Sequence, residues 1–377
     1  MGDQVTNDQV TNDQVTKIGI VGTGVISGTY LEHLGKLPGV NVVAVADLDI
    51  SRAQAIADQH QGIRALSSDD LLADPEVDIV LNLTIPAAHA PVHQAALQAG
   101  KHVYGEKPLA VDRAEAEPLL KLAAANNLRI GCAPDTVLGT GTQTARVALD
   151  RGDIGVPTAA MAAFVTPGHE LWHPAPEFYY QPGGGPLLDM GPYYVTSLVT
   201  LLGPVRRVTG RAGRSQDQRK IHSGPRAGET FPVEVPTHVT GVLEHESGAL
   251  TTVLMSFDVW AGRLPRIEIY GTEGSLSVPD PNNFDGKVEI ATATNRDWTE
   301  LPVAGGYAGA GRGVGVADMA RAIRTGEPHR ADGALAYHVL DVLESLLEAA
   351  AHDQPVDVAS TVDRPAAVPL GASPELP

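Results

Sequence analysis

Gly22-Thr23-Gly24-Val25-Ile26-Ser27-Gly28 separates a short apolar run, Ile18 to Val21, from a helical stretch reaching about Leu37. In a strand–turn–helix such as this, glycine permits a tight turn at Gly22 and close approach of a pyrophosphate to the backbone at Gly24. Gly28 is expected to let helix and strand pack closely. The start of the helix, at Val25 and Ile26, adds N–H groups and positive potential. The spacing is GxGxxxG, one residue longer than the usual dinucleotide fingerprint. Asp47 closes the next apolar run, Asn41 to Ala46, where a carboxylate accepts hydrogen bonds from ribose hydroxyls. A 2′-phosphate there meets a like charge, and Leu48 and Asp49 bring no cation, although Arg52 follows. NAD is favoured over NADP.

Asp189 and Tyr193 lie four apart in a helix expected over Leu187 to Leu202, so they share a face. Moving a hydride from a carbinol carbon to a nicotinamide requires removal of the hydroxyl proton. Free tyrosine, with a pKa of about 10, is a poor base at neutral pH. Burial raises that value, so a nearby cation such as Lys107 is needed to lower it. Lys107 could equally hold the substrate hydroxyl and stabilise developing alkoxide, and the sequence leaves both assignments open.

His169-Glu170-Leu171-Trp172-His173 spells HExxH, which binds zinc only on a continuous helix. Pro167-Gly168 before it and Pro174 and Pro176 after it break that helix, so no metal site is expected. Asn82-Leu83-Thr84 matches a glycosylation acceptor by chance, within an expected buried strand. The loop Thr166 to Tyr180 is rich in His, Trp and Tyr, whose faces suit a sugar ring. His169, Trp172, His173 and Tyr180, with Asp135 and Thr136, are expected to form a substrate pocket.

Positioning these groups requires a scaffold, and the first half supplies a regular one. Apolar strands at Ile18–Val21, Asn41–Ala46, Val77–Leu83, His102–Tyr104 and Leu128–Ala133 alternate with helices, which implies a parallel sheet covered on both faces. Between about Val205 and Leu301, short Thr/Val-rich strands separated by Gly, Pro and Asn turns imply a largely antiparallel sheet. Helices at about Val314–Arg324 and Gly333–Ala350 follow. The expected division is a disordered repeat tail over 1–16, a dinucleotide-binding domain over 17–134 and a second α/β domain over 135–377. The tail repeats the pentapeptide Asp-Gln-Val-Thr-Asn nearly three times, too little to bury a core.

The chain has 377 residues, with 27 Lys+Arg against 45 Asp+Glu, a formal net charge of −18 that disfavours nucleic acid. Arg206-Arg207 to Arg219-Lys220 reads as a solvated loop. The single cysteine, Cys132, sits in an apolar run and reads as a buried structural thiol. No apolar stretch approaches the roughly 18 residues of a membrane helix, and no signal peptide is evident. A cytoplasmic protein is expected.

Gly105-Glu106-Lys107-Pro108 makes the reading specific. With the glycine turn, Thr84-Ile85-Pro86 and His89, and Gly183-Gly-Gly-Pro-Leu-Leu-Asp189-Met-Gly191-Pro-Tyr193, the chain resembles the glucose–fructose oxidoreductase / inositol dehydrogenase / MocA-like family over residues 17 to 351. The resemblance implies a Rossmann doubly wound parallel sheet followed by an α/β domain with a large, mostly antiparallel open sheet, commonly used for homo-oligomerisation as a dimer or tetramer. It implies that Thr84, Pro86, His89 and Glu106 line the cofactor site, His89 and Glu106 on the nicotinamide side. It makes Lys107 the catalytic lysine, before a proline often in cis linkage, and Asp189 the catalytic-site aspartate. Many members carry histidine where this chain has Tyr193; glucose–fructose oxidoreductase and dihydrodiol dehydrogenase look similar to it in using tyrosine. The expected activity is NAD-dependent oxidation of a secondary hydroxyl of a sugar, cyclitol or glycoside. Two alternatives stand beside it: a redox-neutral NAD-recycling glycoside lyase or hydrolase working through a 3-keto intermediate, and a nicotinamide-responsive regulator without catalysis.

Overall fold

A computed structural model describes residues 15–374; the repeat over 1–14 lies outside the described residues. The first sheet contains β1 (Thr16–Val21), β2 (Val40–Ala46), β3 (Arg64–Leu66), β4 (Ile79–Asn82), β5 (His102–Gly105) and β6 (Ile130–Cys132). All its pairings are parallel, and the spatial order is β3-β2-β1-β4-β5-β6. The strand order reverses between β1 and β4, opening a crevice at their carboxyl ends where ligands of doubly wound sheets bind. Helices α1 (Val25–Leu34), α2 (Ile50–Ala57), α3 (Ser68–Ala73), α4 (Pro86–Gln98) and α5 (Arg113–Ala125) make the crossovers. Continuous burial along β4 fits a strand covered on both faces. Strand β1 starts at Thr16, so the first ordered element begins within the segment read as tail. Cys132 is buried, and burial pushes its thiol up.

After α6 (Thr140–Asp150), the chain builds a sheet of nine strands. These are β7 (Pro157–Val165), β8 (Val205–Gly213), β11 (His238–His245), β12 (Leu250–Ser256), β13 (Ile267–Gly271), β14 (Gly274–Val278), β15 (Glu289–Thr292), β16 (Thr299–Glu300) and β17 (Val356–Asp357). A separate hairpin pairs β9 (Gln218–Lys220) with β10 (Thr230–Pro232). Within the large sheet, β7–β12 is parallel and every other pair antiparallel. Helices α7 (Gly185–Leu202) and α9 (Gly333–His352) lie on the sheet and share its core with Leu198, Val239, Met255 and Leu343.

The hairpin corrects the solvated-loop reading. Arg219 is 6% exposed. It pairs with Glu170 at 2.6 Å and with Asp258, because a guanidinium with two carboxylates can be buried where a lone charge cannot. Helix α8 (Val314–Thr325), which the sequence reading grouped with the second half, packs instead on the parallel sheet. Val314, Val316, Met319 and Val368 join Ile18, Tyr30 and Tyr104 in one core. Glycine permits that approach: a side chain at Gly315 would collide with Tyr104. Among the described residues, no helix is long and apolar enough to cross a membrane.

Candidate active site

The β1–α1 turn places Gly22 at φ +99, with room for no side chain: a Cβ would lie 2.7 Å from the carbonyl carbon of Leu83. A Cβ at Gly24 would meet nothing within 4 Å, so the backbone there is open to an approaching group. The N-terminus of α1 has no side-chain cap, which leaves the amides of Val25 and Ile26 for a ligand. These features fit a dinucleotide pyrophosphate. Gly28 does not do the packing expected of it. It is exposed, and a Cβ there would also meet nothing within 4 Å. The close packing falls at Gly19 instead, against Leu71 and Val77.

Asp47 Oδ2 accepts hydrogen bonds from the Thr23 amide (2.8 Å) and hydroxyl (2.7 Å), and Oδ1 from the Asp49 amide. Burial works against its charge, but these bonds and Arg52 outweigh it and hold the carboxyl below its ordinary value. Arg52 reaches the Thr23 carbonyl at 3.4 Å, so a cation does stand near Asp47. At β4, Thr84 Oγ1 donates to Asn82 Oδ1 at 2.6 Å, and Pro86 opens α4. His89 is a positioning group rather than a lining one. It is 1% exposed, with Nδ1 2.6 Å from the Pro108 carbonyl and Nε2 3.0 Å from that of Thr84. It thereby ties the Glu106–Pro108 segment to the end of β4. The Lys107–Pro108 peptide is cis.

Glu106 accepts from Tyr30 Oη at 2.7 Å through one oxygen and from the Lys107 amide through the other. Lys107 Nζ crosses to α7, donating to the Asp189 carbonyl (2.6 Å) and to Oδ1 (3.0 Å). His169 Nε2 donates to Asp189 Oδ2 at 3.0 Å, leaving Nδ1 buried without a partner among the described residues. Burial raises the Asp189 carboxyl, but Lys107 and His169 overcome it and hold the group at about 2. Burial also disfavours the Lys107 ammonium; Asp189, then Tyr193, reverse this and keep it charged well above its ordinary value. Tyr193 follows Asp189 by one helical turn. Its ring has two cations near it, with Lys107 Nζ 5.3 Å and Arg312 Cζ 5.2 Å from the centroid. Burial lifts the phenol above its ordinary value, opposed first by Lys107 and then by Arg312.

The expected substrate residues divide. His169 stays beside the lysine–aspartate pair, with the ring of Trp172, 58% exposed, 5.3 Å from its own and His173 packed in turn against Trp172. His173 Nδ1 accepts from the Ala175 amide while His169 turns to Asp189, so the two imidazoles serve different partners. Tyr180 belongs to the interior: fully buried, it donates to Glu170 and accepts from the His169 amide at 3.2 Å. Asp135 and Thr136 also have no exposed surface. Asp135 accepts from the amides of Gly313 and Gly315 and anchors the start of α8.

The sequence reading missed Tyr179 and Arg312. The Tyr179 ring lies 4.4 Å from His169, and burial and then Asp189 push its phenol up to about 12. Arg312 Nη2 donates to Tyr193 Oη at 3.2 Å and Asn282 Oδ1 at 2.9 Å. Its one clue is the glycine spacing in Gly309-Ala310-Gly311-Arg312-Gly313-Val314-Gly315 before an apolar helix.

A doubly wound sheet with a glycine turn, whose Lys107 after β5 meets Asp189 on α7 of the second domain, defines a nucleotide-dependent oxidoreductase architecture. Comparison with known proteins agrees. Residues 16–133 match the family model for the oxidoreductase family with an NAD-binding Rossmann fold, and residues 142–277 match the GFO/IDH/MocA C-terminal domain. The dTDP-3,4-didehydro-2,6-dideoxy-alpha-D-glucose 3-reductase of Streptomyces antibioticus is 29% identical, over 83% of this chain and 90% of its own. The trans-1,2-dihydrobenzene-1,2-diol dehydrogenase of Xenopus laevis is 30% identical, over 68% of this chain and 73% of its own. The solved structure of levoglucosan dehydrogenase with NADH and L-sorbose has the same fold at a TM-score of 0.79. It is 21% identical and covers 92% of this chain and 99% of its own. The chain belongs to the glucose–fructose oxidoreductase / inositol dehydrogenase / MocA family and is an NAD(P)-dependent oxidoreductase.

Proposed function

We propose that this enzyme oxidises a secondary hydroxyl of a sugar, cyclitol or glycoside with NAD, and that Lys107, Asp189 and Tyr193 handle the proton. The observation that carries the reading is the crossing of Lys107 Nζ to Asp189, 2.6 and 3.0 Å away, with the Tyr193 ring beside it at the open end of the parallel sheet. The names of its relatives, a deoxysugar-nucleotide 3-reductase and a dihydrodiol dehydrogenase, support carbinol or ketone chemistry. Asp47 at the end of β2 supports NAD over NADP, since its carboxylate repels a 2′-phosphate.

The turn at Gly22–Ile26 would hold the pyrophosphate and Asp47 the adenosine ribose. The bound nicotinamide supplies the hydride acceptor. Asp189 fixes the Lys107 ammonium, which donates to the substrate oxygen and stabilises its developing negative charge. Tyr193, in its phenolate form, receives the hydroxyl proton at Oη. His169 and Trp172 would face the substrate's ring, and His169 also orients Asp189.

Reduced-nicotinamide absorbance, with NAD and then NADP, across free sugars, inositols and glycosides tests the proposal. NADH growth with one of them is expected, at least tenfold faster than with NADP. Tyr193→Phe and Lys107→Ala are each expected to cut kcat by roughly 10²–10⁴-fold, the range of a positioned acid–base group, with NADH binding largely kept. Near-normal turnover in either variant, or consumption of a glycoside without net NADH, overturns it.

A further inference from the structure

We propose that Arg312 is a positioning residue for this reaction: its guanidinium holds the Tyr193 hydroxyl and stabilises the phenolate that receives the substrate's proton. The inference rests on the dehydrogenase reading above. Lys107 is the expected cation for this task, but its hydrogen bonds go to Asp189, and it meets Tyr193 only over the ring, 5.3 Å from the centroid. Arg312 is the cation on the phenolic oxygen itself, with Nη2 3.2 Å from Oη. A guanidinium only donates, so Oη accepts this bond and keeps its own proton free for another partner.

The geometry around Arg312 is fixed from several sides. Nη2 also donates to Asn282 at 2.9 Å, and Phe284 lies 5.9 Å from the guanidinium carbon. Among the described residues, Arg312 forms no ion pair with a carboxylate, and its Nη1 is buried without a partner. The carboxylates that face this region make their hydrogen bonds elsewhere, although Asp135 and Glu106 still attract the guanidinium. Asp189 serves Lys107 and His169, Glu106 serves Tyr30, and Asp135 serves the start of α8. Besides Arg312, the charged and titratable groups facing Tyr193 are Lys107, Glu106, Asp189 and Tyr179. A phenolate formed at Oη gives Arg312 a directly hydrogen-bonded anion, which Asp135 and Glu106, acting on it without an ion-pair contact, do not supply, and a hydrogen bond to an ionised acceptor is about twice as strong as one to a neutral acceptor.

The step balances. The carbinol C–H bond breaks and its hydrogen would leave with the electron pair as hydride, for which a bound oxidised nicotinamide is the acceptor. The O–H bond breaks, its pair becomes the new carbonyl π bond, and its proton bonds to Oη of the Tyr193 phenolate, giving the phenol. The phenol returns that proton to water before the next turnover.

The test is the ionisation of Tyr193, followed by NMR of the full-length protein carrying ¹³Cζ-labelled tyrosine, with the Tyr193 signal assigned by its loss in Tyr193→Phe. In Arg312→Gln the midpoint is expected to rise by at least about one pH unit, the usual effect of an opposite charge in contact. Arg312→Lys should give an intermediate value, and carries the comparison if the glutamine variant does not fold. With substrate and NAD, Arg312→Gln is expected to lower kcat at pH 8 by about tenfold or more. KM should change less, and the loss should shrink as pH rises. Equal midpoints in folded wild type and variant overturn the role of Arg312 alone. A shifted midpoint in a protein that oxidises none of the substrates overturns the dehydrogenase reading alone.

Discussion

Asp189 spends both carboxylate oxygens on cations or donors, Oδ1 on Lys107 and Oδ2 on His169, each at 3.0 Å. Its folded pKa of about 2 lies below the roughly 3.9 of a free aspartate. The carboxylate therefore stabilises the fold fully above about pH 4 and loses that contribution as pH falls toward 2. Asp189→Asn leaves the Lys107 ammonium, only 17% exposed, without its counter-charge. Urea unfolding at pH 7 is expected to show a loss of about 3–5 kcal/mol, typical of a broken buried pair. At pH 3 the gap to wild type should be smaller, and a gap independent of pH would rule out this electrostatic account. At this scale the sequence was readable wherever a local rule fixes geometry: a four-residue spacing put Asp189 and Tyr193 on one face. It was not readable at Tyr179 and Tyr180. Adjacent residues in a short 3-10 turn point in different directions, and packing around His169 and Glu170 decides which one faces Asp189.

The turn between β1 and α1 shows how one element can use identical residues differently. Gly22 needs its positive φ and has backbone 2.7 Å from any Cβ, whereas Gly28 stands exposed inside α1 with open space around it. Gly22→Ala is expected to weaken NADH binding by tenfold or more, because the turn must move. Gly28→Ala is expected to stabilise the cofactor-free protein by about 0.5–1 kcal/mol through helix propensity. Fluorescence titration with NADH and thermal unfolding measure the two; a destabilised Gly28→Ala would show that the helix does need close approach there. The strand–helix alternation of the first half was legible because parallel strands buried on both faces read as apolar runs. The β9–β10 hairpin was not, since the charged run around Arg219 is buried only because Glu170 and Asp258 arrive from distant segments.

Across the whole molecule, α7 and α9 pack on one face of the nine-stranded sheet. Val242 and Leu250 stand on a shared face of the adjacent strands β11 and β12, 37% and 49% exposed. The family resemblance implies homo-oligomerisation through this sheet. Light scattering is accordingly expected to give a dimer or tetramer of the 39.5 kDa chain. Val242→Arg with Leu250→Arg should shift it toward monomer, and an unchanged mass would move the interface elsewhere. By itself the sequence determined the parallel sheet, the glycine turn before α1, and the shared face of Asp189 and Tyr193, while Lys107 was singled out by the family resemblance. Those features rest on local periodicity, backbone conformation and short spacing, which act within a few residues. Tertiary structure alone decided that α8 returns to the first sheet and carries Arg312 to Tyr193. It alone decided that Asp135, Thr136 and Tyr180 are interior and that His89 braces the loop of Lys107. Each of those outcomes depends on contacts between segments far apart in the chain, and burial, partner and orientation have no local signature.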